Sequence, residues 1–273
     1  MGGGEPFPAG GGKLRRARDH RRPGSAGARP PRNRARGSAR RASGAPADPR
    51  RRALAVDATV TVQDRLPPDR SLPALREAAA GCRACDLWRD TTQTVFGEGP
   101  ANAQVVLAGE QPGDQEDRQG HPFVGPAGTL LHRALEEAGV DPEITYFTNV
   151  VKHFKWRPQG RKRIHQRPNH AEVEACLPWL EAELEALRPK LLVCLGSSAA
   201  QALVGSTFRV TKHRGEIVPS RVDVPALITV HPSSVLRAPD EEARHRAHGD
   251  FVADLGQIPA ALRSAIRPAA GGA

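Results

Sequence analysis

Several groups of side chains in this chain are of types that do chemistry, and their spacing sorts them. The only cysteines are Cys82, Cys85, Cys176 and Cys194, the first two as a Cys-x2-Cys pair. Four thiolates suit a 4Fe–4S cluster or a tetrahedral zinc, and the spacing does not choose between them. Taken singly, Cys176 and Cys194 are read more plainly as buried thiols; using all four, with one close pair, favours a metal. Carboxylates and two amides crowd Gly109-Glu-Gln-Pro-Gly-Asp-Gln-Glu-Asp117, and a lone imidazole opens His231-Pro-Ser-Ser. From Lys152 to Arg167 there are seven Lys/Arg, two His and no acid. That window would track a phosphate backbone, and Arg161-Lys-Arg-Ile-His165 is its centre; a solvated basic loop is the bland alternative.

The elements that must position these groups alternate. Ser71 caps a short helix that Gly81 stops. Apolar or β-branched runs at 103–108, 144–151, 190–195 and 226–230 read as strands. Helical spacing follows at 126–138, at 169–187 (capped by Asn169 and expected to break near Pro178), at 197–203 and over 240–262. Strands alternating with helices predict an α/β fold: a three-layer α/β/α sandwich around a central four-stranded parallel sheet. In such folds ligands bind at the carboxyl ends of the strands. Those ends carry Gly109–Asp117, Asn149, Gly196 and His231, which locates a site from topology alone.

Charge is unevenly placed. The first 52 residues hold 15 of the 40 Lys/Arg and 3 of the 30 acids, leaving 25 against 27 in the remainder. The overall charge of +10 therefore belongs to the N-terminal part and says little about the domain. Residues 1–65 are rich in Gly, Pro, Ala, Ser and Arg and are expected to be a disordered basic tail, the domain to span 66–265, and 266–273 to be disordered. The tail lacks the apolar stretch of a secretory signal, and no apolar run reaches the ~18 residues a membrane span needs. A monomeric, cytoplasmic, nucleoid-associated protein without membrane contact is the expectation.

Taken together, the four-cysteine pattern, Gly109–Asp117, His121-Pro-Phe-Val-Gly-Pro-Ala-Gly128, Thr148-Asn-Val-Val-Lys-His-Phe-Lys155 and His231-Pro-Ser-Ser-Val-Leu-Arg237 resemble the uracil-DNA glycosylase superfamily. The likeness is to its iron–sulfur branch, family 4, and Arg161–His165 is similar to the loop that marks the UdgX type, with the order of the first basic residues changed. The resemblance implies a 4Fe–4S cluster, zinc being the alternative, and uracil-containing DNA as partner. Single-stranded DNA is the expected form, because an unpaired base costs less to extrude.

It also implies roles. Phe123 would be the aromatic wall for the flipped base, and Asn149 would read the uracil edge, its amide offering a donor and an acceptor. His231 would donate to the departing anion. Ser233 and Ser234 would contact phosphate while Val235 and Leu236 wedge into the stack. His165 would attack the sugar and stay attached to it. Glu110 and Asp114 would orient His165 or take its proton, and Gln111 would hold a water or the sugar. Gly109, Arg161 and Arg163 complete the substrate contacts, while Gln115, Glu116 and Asp117 are expected to be solvated loop polars. The competing expectations are a turning-over family 4 enzyme that uses water, a non-catalytic iron–sulfur protein that senses uracil, and a nucleotide-binding protein with a structural zinc.

Overall fold

A computed structural model describes residues 61–266. The expectations for the two termini lie almost wholly outside that range. Within it, Val62 is buried in the core.

Among the described residues seven strands form: β1 (Val105–Gly109), β2 (Thr145–Asn149), β3 (Trp156–Gln159), β4 (Lys162–His165), β5 (Leu191–Leu195), β6 (Ile217–Val218) and β7 (Ala226–Thr229). The main sheet has the order β2-β1-β5-β7-β6. Its first four strands are parallel, as expected. The fifth, β6, runs antiparallel to β7, so the sheet is five-stranded and mixed rather than four-stranded. Two residues carry no periodicity, which is why this edge strand is invisible in the sequence.

Both faces of the sheet are covered. Val106, Ala108, Leu192, Cys194 and Ile228 face one apolar cluster, shared with residues of α1 (Leu72–Ala80), α4 (His170–Leu187) and α5 (Ser197–Leu203). Val105, Leu107, Leu191, Val193 and Leu227 face a second, shared with α3 (Pro126–Glu137), α8 (Glu241–Leu255) and α9 (Gln257–Ile266). Strands buried on both sides need continuous apolar sequence, and every residue of β1 and β5 is buried. The three-layer expectation is met.

Local expectations divide. Asn169 caps α4: its Oδ1 accepts from Glu172 N at 2.9 Å, and Glu172 Oε2 accepts from Asn169 N at 2.7 Å. Ser71 does not cap α1 with its side chain; its Oγ donates to Asp69 instead. The expected break at Pro178 is absent, and α4 runs through it for 18 residues. Leu177, Trp179 and Leu180, buried around the proline, hold the two halves in line. Two stretches expected as loops are structured. Asp114–Gln119 is a short helix, α2. Arg161–His165 belongs to a β-hairpin, β3 against β4, turning at Gly160 with φ 58° and pairing Trp156 with His165. No helix among the described residues is long and apolar enough to cross a membrane.

Candidate active site at the carboxyl edge of the sheet

The carboxyl ends of the parallel strands open onto a cleft of about 590 Å³. After β1 come Glu110 and Gln111, β2 ends on Asn149, and β5 leads into Gly196 and Ser198. His231 and Ser233 follow β7, and the hairpin adds His165. Phe123, from the loop before α3, lies against the same space.

Asn149 is 3% exposed, and its side-chain amide makes no hydrogen bond among the described residues. It stands opposite Gly109 across the β1–β2 pairing. A Cβ on Gly109 would lie 2.4 Å from Asn149 Oδ1 and 2.9 Å from Phe123 Cζ, so the glycine is what lets amide and ring approach. Phe123 has φ 56°, a conformation few non-glycine residues adopt. A Cβ on Gly128 would stand 1.7 Å from Phe123 O, which fixes glycine there too. The loop is further held by Glu116, whose carboxylate accepts from Gly113 N at 3.0 Å and Gly125 N at 2.8 Å. Expected to be solvated, Glu116 is instead 8% exposed, because two backbone donors satisfy it.

His231 caps α7 (Pro232–Leu236), with Nδ1 accepting from Ser233 N at 3.2 Å. A backbone N–H can only donate, so in the neutral ring the proton sits on Nε2. Burial first, then the positive Arg237 and the charge His165 carries when protonated, pushes the His231 pKa down to about 4. Ser233 Oγ lies 2.8 Å from the same Nδ1. Ser234, exposed, donates its hydroxyl to His231 O.

His165 Nε2 lies 3.3 Å from Glu110 Oε1. Glu110 also accepts a short hydrogen bond from Ser198 Oγ and faces Arg167 Nε at 3.8 Å. Burial holds the His165 pKa below its ordinary 6.5; Arg237 lowers it further, and Glu110 opposes both. The ring is therefore neutral at pH 7. Gln111 is spent on the hairpin base: Nε2 donates to Lys155 O and Gln166 O, both at 3.1 Å, and Oε1 accepts from Lys155 N at 3.0 Å.

Asp114 turns from the cleft to Arg163 and Arg118. Arg163 also donates from Nη1 to Asp117 Oδ2 at 2.6 Å, and its guanidinium lies over Phe154 and Trp156 at 5.4 and 5.5 Å. Asp117, expected to be solvated, is fully buried, because Arg163 and Thr92 N satisfy it. Arg161 sits exposed at the hairpin turn.

The cysteines divide three and one. Burial, with a contribution from Cys82, raises the Cys85 thiol to about 11. Burial also raises Cys176 to about 12, and Cys85 and Cys82 add to it. On Cys194, in the middle of the sheet, burial acts alone. Beside the three thiols is a group that the sequence reading passed over as part of a basic window. His153 is 3% exposed, and its Nδ1 is buried without a partner. Its Nε2 meets Thr94 Oγ1 at 3.0 Å; that hydroxyl donates to Ala79 O, which also accepts from Cys82 N. The neighbouring Lys152 N donates to Cys176 Sγ at 3.2 Å. Three thiols and a spare imidazole nitrogen suit a thiophilic metal or cluster. As the side chains stand, no three His, Cys, Asp or Glu among the described residues converge into a ready metal cage.

Ser198 and Arg237 are also cleft residues that the sequence reading left without a role. Ser198 follows a strand end, so the topological argument that flagged Gly196 reaches it. Arg237 closes the His231–Arg237 motif.

A family model described as Uracil DNA glycosylase superfamily matches residues 96–255. A type-4 uracil-DNA glycosylase of Pyrobaculum aerophilum is 37% identical over 191 residues, 67% of this chain and 91% of that protein. One from Thermotoga maritima is 37% identical over 169 residues, 62% of this chain and 84% of the relative. A type-5 uracil-DNA glycosylase of P. aerophilum is 31% identical over 180 residues, 59% and 75% of the two chains. The chain belongs to the uracil-DNA glycosylase superfamily.

Two substitutions test the geometry. Gly109→Ala should overpack the cleft and cost about 1–3 kcal/mol, read as a lower melting temperature; an unchanged melt would mean that Asn149 and Phe123 have room to move. Arg163→Met should leave Asp117 buried and uncompensated, costing about 3 kcal/mol, with stability recovered when Asp117→Asn is added. Equal stability of the single variant and wild type would remove Arg163 as the hairpin's anchor.

Proposed function

We propose that residues 66–265 form a uracil-DNA glycosylase that acts on uracil in DNA, preferably single-stranded, and stays joined to deoxyribose C1′ through His165. The observation that supports this best is the meeting in one cleft of an unspent amide (Asn149), an aromatic ring (Phe123), a neutral imidazole with its proton on Nε2 (His231) and a second neutral imidazole (His165). The relatives named as type-4 uracil-DNA glycosylases point the same way.

In this reading the uracil nucleotide leaves the stack, Phe123 packs against the base, and Asn149 meets O4 and N3–H. The C1′–N1 bond breaks with its electron pair going to the base. Nε2–H of His231 donates to O2 as negative charge gathers there, in a site whose donor is already oriented by Ser233 N. The oxocarbenium left at C1′ takes the lone pair of a His165 ring nitrogen, forming a C–N bond. Glu110 orients the imidazole beforehand and accepts the ring proton afterwards. Arg161, Ser233 and Ser234 contact phosphates, while Asp114, Arg163 and Gln111 act through the hairpin that carries His165.

Cys82, Cys85, Cys176 and His153 would hold an iron–sulfur cluster, 4Fe–4S in form, with Cys194 outside it. When bound, the cluster supplies cross-linking between the segments that carry Cys82, His153 and Cys176, and no reaction step runs through it.

A denaturing gel with a uracil-containing single-stranded oligonucleotide tests the linkage. Wild type should give a heat-stable shift that His165→Ser loses. Free abasic DNA, cut by alkali without any shift, would make this a turning-over enzyme. The yield of adduct should be level above pH 6.5 and fall as the pH drops through the depressed His165 pKa, because protonation removes the lone pair. A yield that rises toward low pH would exclude neutral His165 as the nucleophile. Iron content tests the ligand set: Cys194→Ser should keep the iron and absorption of wild type, and His153→Ala should lose part or all of both. The reverse pattern would restore Cys194 as the fourth ligand.

A further inference from the structure

A buried ion pair lies behind the base-reading end of β2. The side chains of Lys152 and Glu183 are 1% and 0% exposed, with Nζ 2.5 Å from Glu183 Oε2. Nζ also donates to Thr148 Oγ1 at 2.7 Å and to Asn149 O at 2.9 Å, which uses all three ammonium protons. Glu183 is equally spent. Its Oε2 also accepts from Thr148 Oγ1 at 2.9 Å, and its Oε1 accepts from Gly97 N at 2.9 Å and Tyr146 OH at 3.1 Å.

An apolar pair of the same volume would fill this space without the desolvation cost of two charges, so packing alone does not account for the pair. What the charges add is direction. The single backbone carbonyl held by the ammonium belongs to Asn149, whose own amide has no partner among the described residues. With no hydrogen bond to aim it, that amide takes its direction from its packing against Gly109 and from its backbone. On the other side of Lys152, its N–H holds Cys176 Sγ.

We propose that Lys152 and Glu183 are positioning residues for uracil recognition: the pair fixes the Asn149 backbone so that its unspent amide meets the base at a set angle. This rests on the uracil-DNA glycosylase reading above. Neither residue touches the base; both act through Asn149.

The test uses the full chain with its metal loaded. Lys152→Met/Glu183→Gln removes both charges without stranding either, and keeps an acceptor for Gly97 N and Tyr146 OH. Four quantities are read: melting temperature, affinity for uracil-free single-stranded DNA, inhibition by free uracil, and the single-turnover rate of uracil release. The first two should stay near wild type. Inhibition by uracil and the release rate should both fall about tenfold or more, since small misplacements of a recognition group carry effects of that size. Should the double variant not fold, Thr148→Val takes a partner from each charge and should show the same split at smaller amplitude. Wild-type values for uracil inhibition and release in a folded variant would overturn the proposal. So would a parallel loss of all four, which would make the pair purely structural. If wild type itself neither releases uracil nor is inhibited by it, the glycosylase reading fails and takes this one with it.

Discussion

At the carboxyl edge of the sheet, β1 and β2 end side by side, and the pairing of Gly109 with Asn149 leaves no room for a side chain between them. The rest of the cleft depends on that close approach. With a Cβ on Gly109, neither the Asn149 amide nor the Phe123 ring could occupy its place. The Phe123 loop then has to turn sharply, which sets its backbone in the left-handed region and demands glycine at position 128. Glu116 bridges two backbone amides of the same loop and keeps that conformation. A rigid wall is thus built from the absence of side chains at two points and one buried carboxylate.

His165 is held by different means. It is half exposed, on a two-stranded hairpin, and its place comes from charge and hydrogen bonds reaching across from the β1–α2 segment. Gln111 clamps the hairpin base, Arg163 locks its back to Asp114 and Asp117, and Glu110 meets the imidazole itself. One segment, starting at Gly109 on the end of β1, therefore serves both halves of the cleft. Its first residue makes room for the reader, and the following ones hold the nucleophile of the proposed reaction.

The sheet and the location of the cleft were legible because buried parallel strands need unbroken apolar runs, and such runs are short and end at glycines or polar turns. What was hidden depended on distant partners. Glu116 and Asp117 look like solvated acids until Gly125 N and Arg163 are known to reach them, the latter from 46 residues away. The hairpin has no alternating pattern, since Arg157, Pro158, Gln159 and Lys162 are all polar or exposed, so its pairing follows from the anchors behind it rather than from its own sequence. Cys194 and Cys176 are the same residue type at plausible spacing; only the sheet, which encloses one of them among Ala108 and Ile228, tells them apart. His153 was masked by its basic neighbours; at 3% exposed it cannot serve a phosphate.

That masking has a physical consequence for the basic window. Of its seven cations, Lys152 is buried against Glu183, Lys155 pairs with Glu172, and Arg163 is shared between two aspartates. These three neutralise protein charge and bring little net attraction for DNA. Arg157, Arg161 and Lys162 lie along the exposed hairpin, next to the residue proposed to meet the sugar, and Arg167, just past it, faces Glu110 at 3.8 Å. The field that would draw a phosphate backbone is therefore narrower than the sequence suggests, and it is centred on the hairpin tip. Charge concentrated there would deliver a strand to His165, while Asn149 and Phe123, deeper in the cleft, carry no charge of their own.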